Sequence, residues 1–247
     1  MTRLASGGGF ASHTRILDDM ESRLTALAEI RVQEWWERYL KGEACFRGVK
    51  MAATRRVTRE LWNSHELETR SIAQIIDLAR ACMACEPTED KLVGVLFLAE
   101  HALSELELKH APKLAKPLAD GSLADWNSVD WYCVKCLGPF LEVGDDVEAR
   151  ARAIAGWVDA KGLWQRRAAA VAFTKSAARE EELFPGFHEL MIQVCEKNVT
   201  DPARWSQTSV GWLLRELSRN HAPLVQAFVN AHPEMSTEAR KNATKYL

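Results

Sequence analysis

Helical periodicity runs along almost the whole chain and limits what it can become more than any other feature. Apolar residues recur at i, i+3, i+4 and i+7 in segments of roughly 12–18 residues, and period-two alternation is nearly absent. The pattern predicts helices over 16–42, 52–62, 66–83, 90–101, 104–111, 128–140, 147–158, 164–174, 187–196, 207–219, 223–230 and 236–247. Turn-forming residues separate them at Asp120-Gly121-Ser122, Gly144-Asp145-Asp146, Lys161-Gly162, Pro185-Gly186, Asp201-Pro202 and His232-Pro233. With 247 residues and 47% hydrophobic composition the chain can bury a core without disulfides or metals. The expected class is all-α.

A weak internal repeat narrows this further. Trp126, Trp164 and Trp205 each open a helix after a polar turn, 38 and then 41 positions apart. A period near 40 residues with two helices per unit marks HEAT-like arrays, in which neighbouring helix pairs bury one another's apolar faces. The expectation is a right-handed solenoid of HEAT-like repeats with a concave binding face; an irregular helical bundle is the alternative. Gly7-Gly8-Gly9 and the absence of periodicity before residue 16 predict a flexible leader over 1–15, followed by one domain over 16–247.

No apolar run reaches the roughly 18 residues of a membrane span. The N-terminus also lacks the apolar stretch of a secretory signal. The expected location is therefore cytoplasmic (nucleoid-associated in a bacterium) or nuclear, with no membrane partner and with cysteines kept reduced. Cys82-Met83-Ala84-Cys85 and Cys133-Val134-Lys135-Cys136 are both C-x-x-C, but 48 positions separate Cys85 from Cys133. Structural zinc sites space such pairs by about 15–20 residues. Both pairs fall in helical pattern, where cysteines at i, i+3 are buried packing residues. No metal and no cofactor are expected. His65, His101, His110 and His188 have no carboxylate or cysteine at ligand spacing, and no glycine-rich phosphate loop occurs.

The net charge of −2 excludes an indiscriminate polyanion binder but allows a local basic face. Basic residues gather at Arg47, Lys50, Arg55, Arg56 and Arg59, at Arg150, Arg152, Lys161, Arg166 and Arg167, and at Arg204, Arg215 and Arg219. Acidic residues gather at Glu86, Glu89 and Asp90, at Asp145 and Asp146, and at Glu180, Glu181 and Glu182. One face for an anion and another for solvent is one reading; scattered solvated charge is the other.

The most informative stretch is Asp125-Trp126-Asn127-Ser128-Val129-Asp130-Trp131. On a helix Trp126 and Asp130 are i and i+4 and share a face, whereas Trp131 falls off it. Leu163-Trp164-Gln165-Arg166-Arg167 and Ser209-Val210-Gly211-Trp212-Leu213-Leu214-Arg215-Glu216 open or occupy helices of the same repeat type. A carboxylate, indoles and guanidinium groups could therefore converge on one wall. Packing tryptophans and a helix-capping aspartate are the competing reading.

These strings, with Trp36-Glu37-Arg38-Tyr39-Leu40-Lys41-Gly42, Phe46-Arg47-Gly48-Val49-Lys50 and the closing segment 230–247, resemble the AlkD-type DNA alkylpurine glycosylases, which are built from HEAT-like repeats. The resemblance implies that Asp130 is the catalytic aspartate and that Trp126 and Trp212 flank the lesion sugar, with Tyr39 beside them. It implies that the arginine of a Trp-x-x-Arg run, here Arg167 with Arg166 as its neighbour, lies near the lesion phosphate. Arg55 and Arg56 match the family's paired arginines, and Arg215 and Arg219 match residues that grip the DNA backbone. It further implies a lesion processed without a deep base pocket. Two departures stand out. Met51-Ala52-Ala53-Thr54 replaces a shorter turn before Arg55 and Arg56, predicting a longer loop, and Gln207-Thr208-Ser209 stands where the family often has a lysine.

The chemistry fits those residue types. A purine alkylated at N3 or N7 is already cationic and leaves readily, so the need is to stabilise an oxocarbenium-like sugar. A fixed carboxylate does so and orients water. No lysine is expected at the centre, so water is the nucleophile and the enzyme is monofunctional. The expected function is thus a base-excision DNA repair glycosylase that hydrolyses 3-methyladenine- or 7-methylguanine-type bonds in alkylated double-stranded DNA, acting as a monomer. The alternative is a non-catalytic HEAT-like module binding DNA or a protein.

Overall fold

The computed structural model describes residues 8–247, with side chains described from His13 onward. These residues form two compact units, one ending at Ala102 and the other spanning Leu103–Leu247. The first holds α1 (Gly8–Thr25), α2 (Ile30–Tyr39), α3 (Met51–Ser64), α4 (Ile72–Met83) and α5 (Thr88–Leu96), which runs into a π-helical turn at Phe97–Ala102. The second holds α6 (Ala111–Leu114), α7 (Lys116–Ala119), α8 (Trp126–Tyr132), α9 (Gly138–Glu142), α10 (Val147–Ala155), α11 (Leu163–Val171), α12 (Phe187–Asn198), α13 (Arg204–Ala231) and α14 (Thr237–Ala243). Among the described residues there is no strand beyond one isolated bridge, Cys45 with Pro87, so the class is all-α. The division falls within a run of helical turns and not at a linker. We propose that residues 16–247 nevertheless unfold as one domain, which a single calorimetric transition would show.

Each unit has its own core. Ile16, Met20 and Leu24 follow one another at i, i+4 along α1 and are buried, as are Val57 and Leu61 of α3, on which α1 packs. In the second unit Tyr132, Phe140, Phe173 and Phe187 are the largest fully buried side chains. The Tyr132 hydroxyl stays satisfied by donating to the Leu114 carbonyl at 3.0 Å.

The repeat is written in the hydrogen bonds. In the second unit, side-chain bonds between elements join residues 34 (Arg204 to Glu238), 35 (Arg166 to Asp201), 37 (Arg167 to Asp130) and 38 (Lys197 to Asp159) positions apart. In the first, Arg23 reaches Glu60 across 37 positions and Arg47 reaches Asp90 across 43. Separations near 40 are what stacked helix pairs of that length produce. The helices opening at Trp126, Leu163 and Arg204 are equivalent elements, and α11 packs on both α8 and α13.

The boundaries differ from the periodicity in identifiable places. The helix expected over 16–42 is two helices. Between them the Glu29 amide donates to the Gly48 carbonyl at 2.9 Å, and Gly48 sits at φ +89, where a Cβ would lie 2.4 Å from the Glu29 carbonyl oxygen. Only glycine permits that approach. The leader expected over 1–15 is helical from Gly8, and residues 1–7 lie outside the described residues. Residues 51–54 are not a loop but the first turn of α3. The helices expected over 207–219 and 223–230 join in α13 across a kink at His221 (φ −128, ψ 44), two residues before Pro223, which has no amide hydrogen to donate.

Gly211 has a different role. A Cβ there would lie 2.6 Å from the Ala239 carbonyl oxygen and 2.8 Å from its Cα, so α13 and α14 meet backbone to backbone. Gly211→Ala is expected to lower stability by about 1–3 kcal/mol, as forced overpacking does. Urea unfolding at constant m-value measures this, and an unchanged midpoint would contradict the close packing.

Candidate active site

The site begins with a helix cap. Asp125 is extended (φ −134, ψ 154), and its buried carboxylate accepts from the Ser128 amide at 2.8 Å and from the Ser128 hydroxyl at 2.5 Å. Such a cap is worth about 1 kcal/mol and fixes where α8 starts. Asp125, and not Asp130, is the capping aspartate. From that start two adjacent rows of α8 and its continuation face one cavity of about 370 Å³. One row is Trp126, Asp130 and Val134; the other is Asn127, Trp131 and Lys135; Trp212 closes the cavity from α13. Beyond α8 the helix widens into a π-helical turn at Cys133–Leu137, just before Pro139, which can donate no helical hydrogen bond.

Asp130 is clamped. The Arg167 guanidinium on α11 donates through Nε to Oδ1 and through Nη2 to Oδ2, both at 2.8 Å. Its Nη1 also donates to the Trp205 carbonyl at 2.6 Å and the Thr208 hydroxyl at 3.1 Å, both on α13. Arg167 therefore ties three successive repeat helices together. Its side chain is 5% exposed, against 14% for Asp130, which still borders the cavity. Burial pushes the Asp130 carboxyl above the usual carboxylate range, and the Arg167 hydrogen bonds and charge pull it back down. The Trp126 and Trp205 rings lie 6.2 Å apart.

The structure thus gathers Asp130, Trp126 and Trp212 in one cavity and sets Arg167 behind the carboxylate. Several expected positions read differently. Trp131, expected off the face, lines the cavity, because the open side of the helix is two rows wide. Lys135 lines it too, against the expectation of no lysine at the centre. Arg167 is committed to Asp130 and α13. Arg166 is committed elsewhere, pairing with Asp201 at 2.5 Å and donating to the Ala160 and Lys161 carbonyls. Arg215 and Arg219 both pair with Glu216, at 2.7 Å each, and the Arg215 guanidinium lies 5.9 Å from the Trp212 ring centroid.

The remaining expected contacts belong to the first unit. Tyr39 is 54% exposed and stacks on Trp35 with centroids 5.3 Å apart. Arg55 pairs with Glu100 at 3.0 Å, and Arg56 approaches Glu60 at 3.6 Å.

Charge runs also proved less segregated than their positions imply. Glu89 and Asp90, read as solvent-facing, are buried: Glu89 accepts the amides of Arg47, Gly48 and Val49, and Asp90 takes Arg47. Residues that the repeat carries side by side are partners, which single-residue counting does not show. Trp205 and Thr208 were missed as site supports; their position one repeat beyond Arg167 is the signal that could have found them.

Cys82, Cys133, Cys136 and Cys195 are buried and form no disulfide, and burial pushes the Cys136 thiol up to about 12. Among the described residues no group of three or more histidine, cysteine or acidic side chains is placed to hold a metal ion. Among the described residues no helix is long and apolar enough to cross a membrane.

Stacked helical repeats with a carboxylate in an indole-walled cavity define a helical-repeat protein with an acidic aromatic site. The sequence model of the DNA alkylation repair enzyme family matches residues 20–247. The chain belongs to that family, and a role in DNA repair follows from membership. No curated protein matches it. A solved structure described as a predicted DNA alkylation repair enzyme from Enterococcus faecalis superposes with a TM-score of 0.75 at 17% identity, over 89% of this chain and 96% of that one. At that identity the likeness is one of fold.

The clamp makes a stability statement. Arg167→Met leaves a largely buried carboxylate without its partner and is expected to cost about 3–5 kcal/mol, whereas Asp130→Asn/Arg167→Met together cost less than the single change. Denaturant midpoints of the two singles and the double measure this. A double variant no more stable than Arg167→Met alone would contradict it.

Proposed function

We propose that the protein is a DNA glycosylase that uses water to release cationic N3- and N7-alkylated purines from duplex DNA. The observation that carries this reading is Asp130: a carboxylate fixed by two guanidinium hydrogen bonds, bordering a cavity walled by Trp126, Trp131 and Trp212. As the glycosidic bond lengthens, positive charge builds on the deoxyribose. A preorganised carboxylate stabilises that charge without reorganising. The indole faces add cation–π attraction of roughly 0.5–2 kcal/mol each. The alkylated base leaves neutral, so no general acid is required, and Asp130 orients the water that adds to the sugar.

Arg167 is a positioning residue in this scheme. It favours the ionised form of Asp130 and aims it, and its own bonds to α13 hold it there. Tyr39, Arg55, Arg56, Arg215 and Arg219 are the proposed contacts to the duplex. Their charges give affinity that weakens as salt rises. Arg166 joins that set, its pair with Asp201 being of the same kind as those of Arg215 and Arg219 with Glu216. The protein is proposed to act as a monomer, without metal or cofactor.

The test is release of 7-methylguanine or 3-methyladenine from methylated duplex, followed by chromatography of the freed base. Asp130→Asn is expected to reduce the single-turnover rate by about 10²–10³, the scale of losing one preorganised electrostatic group, while duplex affinity changes far less. No base release by the unaltered protein, with tight binding retained, would instead favour a non-catalytic DNA-binding repeat module.

A further inference from the structure

The feature of the cavity left without a role above is Lys135. It stands one turn beyond Asp130, in the π-helical turn Cys133–Leu137, and its chain lines the same cavity as Asp130, Trp126 and Trp212. Its Nζ lies 5.3 Å from the Trp131 ring centroid, and among the described residues no carboxylate is paired with it. The basic side chains around it are otherwise occupied. Arg167 holds Asp130, Arg166 holds Asp201, and Arg215 and Arg219 hold Glu216. Lys135 is the amine that this cavity offers to whatever enters it.

An amine that shares a mostly hydrocarbon-walled cavity with a fixed carboxylate, large enough for a nucleoside, is suited to an aldehyde. Lysine amines condense with carbonyl substrates to give Schiff bases. The carbonyl available in damaged DNA is the ring-opened deoxyribose of an abasic site, whose C1′ is an aldehyde. We propose that this cavity also accepts abasic sites, with Lys135 as the nucleophile of a strand-cleaving lyase reaction.

The steps balance without a redox partner. Lys135 gives its ammonium proton to solvent, and its nitrogen lone pair adds to C1′. A C–N double bond forms and one water leaves. The iminium acidifies C2′–H; the Asp130 carboxylate takes that proton, the electron pair forms the C2′–C3′ double bond, and the C3′–O bond breaks with its electrons leaving on the 3′-phosphate. Water then hydrolyses the imine, returning the lysine amine and an unsaturated sugar aldehyde on the cleaved strand.

The proposal shares with the glycosylase reading the seating of a deoxyribose against Asp130, but it starts from a base already lost and needs Lys135, so either can fail alone. The experiment uses the full-length protein and a duplex bearing one preformed abasic site, incubated with sodium borohydride. Borohydride reduces an imine to a stable secondary amine. The expected result is a covalent protein–DNA species whose adducted peptide, by mass spectrometry, carries the modification on Lys135. Strand scission without borohydride should fall roughly hundredfold in Lys135→Arg, since a guanidinium is not a nucleophile here. No adduct with the unaltered protein, or an adduct on another amine, would overturn the proposal. So would a Lys135→Arg variant that traps as well as the parent. Because the peptide map is made on the unaltered chain, the result does not depend on how well the variant folds.

Discussion

The ion pair between Asp130 and Arg167 is the contact on which the rest of this architecture turns. It joins α8 to α11, and the same guanidinium reaches α13 through the Trp205 carbonyl and Thr208. A buried pair of this kind is a weak source of net stability, because desolvation offsets most of the attraction. Its value here is geometric. Two parallel hydrogen bonds fix both carboxylate oxygens, and three repeats must stack in register for the arginine to meet all its acceptors. One side chain thus fixes both the stacking of these three helices and the geometry of the proposed catalytic carboxylate.

That arrangement also resolves a conflict between burial and reactivity. A carboxylate withdrawn from water holds its proton more tightly, which works against the negative charge that the proposed reaction requires. A fully exposed one would be ionised but free to rotate and screened by solvent. Asp130 lies between those limits. Its back is covered by Arg167 and its front borders a cavity walled by Trp126, Trp131 and Trp212. Charge placed in such surroundings acts on a developing cation far more strongly than it would in bulk solvent.

Much of this could be read from the residues alone, and the failures have common causes. The repeat was visible in Trp126, Trp164 and Trp205, and Asp130 with Trp126 could be put on one face from spacing. What spacing could not show was the width of that face. Treating α8 as a single i, i+4 row assigns Trp131 and Lys135 elsewhere, while packing leaves two rows open. The break between α1 and α2 escaped periodicity because its cause is tertiary, a glycine carbonyl meeting the Glu29 amide from nineteen positions away. Arginines grouped in sequence read as a free basic face. In three dimensions Arg47, Arg166 and Arg167 are each bound to an acid about one repeat distant, and only knowledge of the stacking identifies those partners.

The pH dependence of base release under single-turnover conditions tests the central claim most directly. Burial raises the Asp130 carboxyl while Arg167 lowers it. The ionised form is therefore lost as pH falls through a value above that of an ordinary aspartate, and the rate should decline along that limb. Removing the guanidinium in Arg167→Met takes away the lowering contribution, so the limb should move to still higher pH. A rate indifferent to acid down to the ordinary carboxylate range, or a limb that stays in place in Arg167→Met, would contradict the assignment of Asp130 as the charge that drives the reaction.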